Sequence, residues 1–366
     1  MTDLLVQRVL DLACDIQQIP APTFQEAARA AFVRERFTAE GLADVEIDDL
    51  GDVFARRPGR DPSAAPVLVT AHLDTVFPPE TPLNLTRSAA RIAGPGIGDN
   101  SLGVAGLFGL IWALQEQPLP GDLMLAANVG EEGLGDLRGM RRVIDRLGAR
   151  VRSTIVLEGM ALGHIYYAGL GVRRYRITVH AEGGHSWLHF GRPSAIHVLL
   201  QLGAKITDLS LPAAPRTTYN IGTISGGTSI NTIAREASLD LDLRSESPSA
   251  LTALAAQVET LAGSFANPEV SVETRVIGDR PTGALPRDHP LVQLATQALG
   301  AAGVSDCTLE IGSTDANIPL SRGLPCICIG LTRGANSHRP DEYIDTRDLD
   351  RGLAAAIQIV KGAFDL

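Results

Sequence analysis

Cysteine is scarce in this chain. Only four occur in 366 residues (Cys14, Cys307, Cys326 and Cys328), none in a zinc-knuckle spacing, so a disulfide framework is not expected. Positive charge is short as well: Lys+Arg is 32 against 42 for Asp+Glu, a net charge of −10 with neutral histidines. No basic run stands out against that balance, which makes nucleic acid and anionic membrane poor partners. No apolar stretch approaches the roughly 20 residues of a membrane span. Met1-Thr2-Asp3-Leu4-Leu5 has neither the basic region nor the apolar core of a leader, so the expectation is a soluble cytoplasmic protein. Disorder is excluded too: 45% of the residues are hydrophobic and 20% charged, enough to bury a large core. The length exceeds one ordinary core and predicts two or three domains.

The first third alternates helix and strand patterns. Thr23-Phe24-Gln25-Glu26 has capping-box spacing and opens a helix containing Ala27, Ala30, Phe32 and Phe37, which Gly41 stops. The apolar runs at 67–70, 123–127 and 154–157 read as buried strands, and 101–114 and 137–147 as helices. This is an α/β pattern, with helices on both faces of a mixed, mostly parallel sheet. From Gly171 the rhythm changes. Alternating strands at 175–180, 217–224, 237–243 and 270–276, with helices near 194–209 and 251–265, predict a small α+β unit. The α/β pattern then resumes with a helix after His289, a strand at Cys326-Ile327-Cys328-Ile329 and a final helix from Leu349. The predicted organisation is a larger domain in two parts, 1–167 and 279–366, with the α+β unit inserted over 168–278.

Several acidic and imidazole groups fall at strand ends or in the loops that follow, where open α/β sheets keep their ligand sites. They are His72 with Asp74, Asp99, Glu131 with Glu132, Glu158, and His338. Hard carboxylates mixed with imidazole suit zinc, cobalt or manganese. Three carboxylates and two histidines suffice for a pair of divalent ions sharing one bridging carboxylate. Two such ions about 3.5–4 Å apart would clamp a hydrolytic water and polarise the group it attacks. Singly, each signal is weak: a His-x-Asp at a strand end is as a rule a local hydrogen bond, and a Glu-Glu pair a solvated turn. The run Gly94-Pro95-Gly96-Ile97-Gly98 has the look of a phosphate cradle, but it follows no clear strand and matches neither the G-x-G-x-x-G nor the P-loop spacing. Its glycines are read instead as letting the backbone present Asp99.

Order and context are stronger than any single residue. The chain carries His72-Leu73-Asp74-Thr75-Val76, Gly98-Asp99-Asn100-Ser101, Gly130-Glu131-Glu132-Gly133 and Leu157-Glu158-Gly159. Further on come Gly183-Gly184-His185-Ser186, Asn231-Thr232-Ile233, Asp242-Leu243-Arg244, Ser313-Thr314-Asp315-Ala316 and Ser337-His338-Arg339-Pro340-Asp341-Glu342. In that order they resemble the zinc-dependent family of aminoacylases, succinyl-diaminopimelate desuccinylases, tripeptidases of the T type and glutamate carboxypeptidases. The resemblance runs over essentially the whole chain.

It implies two divalent metal ions per subunit, zinc first, with cobalt or manganese also suited to the donors. Asp99 would bridge them, His72 and Glu158 completing one site and Glu132 and His338 the other. Glu131 would be the general base toward the metal-bridging water, and Asp74 would orient His72. The inserted unit resembles the family's lid and dimerisation domain, which implies a homodimer. There His185 would stabilise the developing oxyanion, while Asn231 and Arg244 would grip the substrate, Arg244 through a carboxylate. Ser313 and Thr314 would line the pocket from the catalytic side.

The expected reaction is hydrolysis of an amide bond, peptide or N-acyl, in a small substrate with a free carboxylate. Within the family, glutamate at the position of Glu158 goes with deacylases and carboxypeptidases, and aspartate with aminopeptidases and dipeptidases. Against this, His72-Leu73-Asp74-Thr75-Val76-Phe77-Pro78 also resembles the tripeptidase branch, which keeps an aminopeptidase as the alternative. A metal-binding scaffold that has lost catalysis is a third reading, disfavoured because Glu131, all five ligand candidates and His185 are present. Gly184 stands where alanine is frequent in the family, and Ala234-Arg235 where many members have proline. His164, His180, His189, His197 and His289 lie outside these motifs and are read as structural or solvent-exposed.

Overall fold

Val67–His72 is buried along its whole length, as a continuous apolar run between two parallel neighbours should be. Those neighbours are Leu123–Asn128 and Ser153–Glu158, and Cys326–Gly330 joins the far side of the latter, also parallel. This parallel centre lies in a nine-stranded sheet. The antiparallel pair Ala43–Ile47 and Val53–Arg57 borders it on one side, and His164–Gly169 with Gly283–Ala284 and Thr308–Gly312 on the other. The computed structural model describes residues 3–366 and divides them into two compact units. One comprises the residues up to Gly169 together with Gly283–Leu366, and holds this sheet; the other is Leu170–Thr282.

Helix Leu102–Leu114 fills the core of the first unit, with only Ala113 of its residues not buried. The 18-residue stretch Ile97–Leu114 is long and apolar enough to cross a membrane, which corrects the expectation that nothing approaches a span. It is 89% buried within the protein, and Asp99 and Asn100 break its helical backbone. Its composition is that of a core helix. The helix read after Thr23 is Ala27–Ala39, but no capping box forms. The Thr23 hydroxyl donates instead to Asp74 Oδ2 (2.8 Å), while Glu26 accepts from the Phe24 amide and from Arg138. Helix Asp3–Gln17 and the pair Ala43–Ile47 and Val53–Arg57 have no counterpart in the sequence reading.

The second unit is a four-stranded antiparallel sheet in the order Thr217–Gly226, Glu236–Ser245, Gly171–Ala181, Val270–Arg280. Helices Ala195–Thr207 and Pro248–Ser264 pack on one face, where Tyr175, Ile177, Val179, Leu239, Leu241 and Leu243 are buried. The alternate residues form a polar face laced by Arg176–Asp240 and Arg174–Asp242 pairs.

Candidate metal centre

Parallel strands place their carboxyl ends on one edge, and the first unit uses that edge. His72 closes Val67–His72 opposite Asn128, and Glu158 closes Ser153–Glu158 opposite Gly330. His72 is 1% exposed. Its Nδ1 lies 3.1 Å from the backbone carbonyl of Asp74 and 3.4 Å from Asp74 Oδ1. Both neighbours are acceptors, so Nδ1 carries a proton and Nε2 is the ring atom that faces the cluster. The Asp74 carboxylate, wholly buried, also accepts the backbone N–H groups of Glu131 and Glu132, each at 2.9 Å. It therefore orients the Glu131-Glu132 turn as well as the imidazole.

The five expected donors come together. His72 Nε2 lies 3.2 Å from Asp99 Oδ1 and 3.6 Å from Glu158 Oε2. On the other side, His338 Nε2 lies 3.2 Å from Asp99 Oδ2 and 3.2 Å from Glu132 Oε1. His72, Asp99 and Glu158 thus make one three-donor set, and Asp99, Glu132 and His338 a second, with Asp99 common to both. Glu131 joins a third grouping with His72 and Glu132.

The electrostatics fit cations. Burial opposes a charge on His72, yet Glu158, Asp74 and Asp99 raise it well above the usual imidazole value. Hydrogen bonds to Asp99 and Glu132 raise His338 to about 10. Burial works to push Asp99 up, but bonds from His338 and His72 hold it well below the carboxylate range. Burial, reinforced by Asp99, drives Glu132 up to about 8, and burial drives Glu158 up to about 7. Crowded carboxylates here retain protons and hold charged imidazoles close. Divalent ions would displace those protons, as they do from any mixed carboxylate–imidazole ligand set.

Asn100 and Asn128 carry structural work that the sequence reading missed. The buried Asn100 side chain donates to the Leu157 carbonyl and accepts from the Gly159 amide, both at 2.9 Å, bracketing Glu158. Asn128 donates to Asp315 Oδ2 (2.7 Å), and both residues are fully buried. Thr314 turns inward on its own loop, its amide donating to Asn317 and its hydroxyl accepting from Ala316; Ser313 precedes it, half-buried. His185, Asn231 and Arg244 belong to the second unit. His185 is exposed, and its Nδ1 accepts from the Trp187 amide. Asn231 is exposed and accepts from the Ser229 hydroxyl. Arg244 already has an acidic partner, its Nε bonding Asp242 Oδ2 at 2.7 Å.

An open α/β sheet that gathers carboxylates and imidazoles at the carboxyl ends of its strands is the build of a metallohydrolase. The chain belongs to peptidase family M20/M25/M40, whose family model matches residues 68–362. A peptidase M20 domain-containing protein of Sordaria macrospora is 31% identical over 247 residues, 59% of this chain and 53% of that protein. A probable carboxypeptidase of Aspergillus clavatus is 30% identical over 262 residues, 63% of this chain and 56% of the relative. The chain therefore spans a little over half the length of these two relatives. The crystal structure of a tripeptidase from Staphylococcus aureus superposes with a TM-score of 0.80 over 99% of both chains at 20% identity, a likeness of fold.

Proposed function

We propose that the protein is a dinuclear metal-dependent hydrolase cleaving an amide bond, peptide or N-acyl, in a small substrate with a free carboxylate. The observation that carries this reading is Asp99, whose two oxygens each lie 3.2 Å from a different imidazole. Asp99, His72 and Glu158 would hold one ion and Asp99, Glu132 and His338 the other, with zinc the best match and cobalt or manganese also suited. When bound, such a pair activates water and polarises the scissile carbonyl. Glu131 is the general base: its backbone is pinned by Asp74, and its carboxylate takes the proton of the attacking water and delivers it to the leaving nitrogen. His185, with Nδ1 accepting from Trp187, carries its proton on Nε2, the donor that an oxyanion needs.

Arg244, paired with Asp242 through Nε, offers the remaining edge of its guanidinium to the substrate carboxylate, with Asn231, Ser313 and Thr314 as further contacts. A carboxypeptidase or deacylase is supported by Glu158 and by the name of the Aspergillus relative. The aminopeptidase reading is favoured by the 72–78 motif, and the Staphylococcus aureus neighbour is named a tripeptidase. A homodimer through the second unit is supported by its edge strand Thr217–Gly226, which carries no charged residue to guard it against pairing with a second copy.

The test incubates zinc- or manganese-loaded protein with a pool of N-acyl amino acids, dipeptides and tripeptides, read by mass spectrometry beside Glu131→Gln. Loss of N-acyl amino acids or of C-terminal residues supports the proposal. Loss only of peptides with free N-termini moves the protein to the aminopeptidase reading. Full turnover by Glu131→Gln would sink the assignment of the base.

A further inference from the structure

The glycine run at 94–98 is a cradle after all, and its occupant comes from the protein. The carboxylate of Glu342, fully buried, accepts the backbone N–H of Gly98 at 2.7 Å and that of Asp99 at 2.9 Å, both through Oε1. Two further contacts fix the same junction. The Gly94 amide donates to the Glu342 carbonyl (2.8 Å), and the following residue, Tyr343, pairs with Ala93 in a short antiparallel ladder. Successive amides converging on one anion are the arrangement by which loops of this kind bind phosphate. Here a side-chain carboxylate fills it.

We propose that Glu342 is a positioning residue for the metal centre, its carboxylate holding the Gly98–Asp99 amides so that Asp99 stands between His72 and His338. This rests on the reading of those three residues as metal ligands. The argument is one of placement and cost. Asp99 is reached through a backbone that leaves helical geometry at Asp99 and Asn100, inside a wide turn closed by the Ser101 and Leu102 amides rather than by regular α-helical bonds. His338 lies in an exposed run, 337–341, and its own backbone is left-handed at φ +65°. Neither ligand is rigid by secondary structure alone. Glu342 is the first buried residue after that run, and its two bonds land on the amide of the bridging residue and on the amide before it. A carboxyl group buried this deeply is costly to keep without partners, and its Oε1 finds two in these amides. Those bonds tie the segment bearing His338 to the loop bearing Asp99. Partners of this kind typically change metal affinity 10–100-fold when removed.

The test is titration of the metal-free full-length protein with cobalt(II), following the visible spectrum and the stoichiometry by equilibrium dialysis. Wild type is expected to bind two ions. Glu342→Gln keeps an oxygen for both amides and should bind two with affinity within about threefold of wild type and the same spectrum. Glu342→Asp, one methylene shorter, and Glu342→Ala should bind at least one ion tenfold or more weakly, with a shifted spectrum. Wild-type stoichiometry, affinity and spectrum in Glu342→Asp overturn the proposal, and so does the same loss in Glu342→Gln as in Glu342→Asp. The aspartate and glutamine pair decides the matter even if the alanine variant does not fold. Absence of cobalt binding by wild type would overturn the underlying reading of the site, a result distinct from either.

Discussion

The Asp74 carboxylate grips the backbone of Glu131, accepting its N–H at 2.9 Å through Oδ1, while Oδ2 accepts from Glu132 at the same distance. The same group faces the Nδ1 edge of His72. One buried carboxylate thus sets the proposed general base, one residue of each candidate donor set and the tautomer of an imidazole. Asp74→Asn retains a single carbonyl acceptor and must present an NH2 group to one of two amide donors. We expect kcat/KM to fall by about 10–100-fold with metal affinity reduced in parallel. Steady-state kinetics with metal analysis checks this, and an unchanged kcat/KM would refute it.

Gly103 meets a second brace. A Cβ added there would stand 2.0 Å from Asn100 Oδ1, the atom that accepts the Gly159 amide. Helix propensity alone predicts that Gly103→Ala gains about 1 kcal/mol. The Asn100 amide is buried and bonded at both ends, so it cannot swing aside without breaking those bonds. Overpacking of this kind costs about 1–3 kcal/mol, and the net change is expected to be destabilising. A thermal melt of the metal-free protein decides the sign; a variant melting at or above wild type would show that Asn100 yields.

Asp52 governs a pH dependence away from the metal centre. It is fully buried, accepts the Val129 amide at 2.9 Å, and burial raises its carboxyl to about 7. An unfolded aspartate titrates near 3.9, at about the foot of this window. Between about pH 4 and 7 the unfolded chain releases a proton that the folded chain keeps, so stability falls as pH rises and the loss is complete above about 7. The size is on the order of a few kcal/mol. Asp52→Asn keeps the acceptor for Val129 and removes the titration. Urea melts in chelator at pH 5 and pH 8 should show a smaller fall in stability for the variant than for wild type. Equal falls would mean that Asp52 is already ionised.

Much of the architecture was legible because it rests on local patterns. The apolar runs at 67–70, 123–127 and 154–157 are strands, and the residues singled out at their ends form the donor cluster. What escaped depends on partners remote in sequence. Thr23 has the spacing of a helix cap, yet the charged Asp74 wins its hydroxyl. Asp315 lay inside a recognised motif, but its bond to Asn128 spans 187 positions, and that of Glu342 to Gly98 spans 244. The pair Ala43–Ile47 and Val53–Arg57 was missed for another reason: Val53–Arg57 lacks any alternation, and Ala43–Ile47, though it alternates apolar with charged residues, is only five residues long and only partly buried at the sheet border.

The strand Cys326–Gly330 lies between Ser153–Glu158 and His164–Gly169, two strands that adjoin each other in the chain. Those neighbours cannot close on one another as a hairpin. During synthesis, the whole of Leu170–Thr282 is made before the strand that fills the gap between them. Four of the five donors are by that time already made, and the fifth, His338, arrives just behind the strand that closes the sheet. The donor set therefore cannot be complete until about the last tenth of the chain is being made. A nascent chain arrested before residue 326 would carry the acidic cluster without its second imidazole, and the edges of Ser153–Glu158 and His164–Gly169 that pair with Cys326–Gly330 would lack that partner.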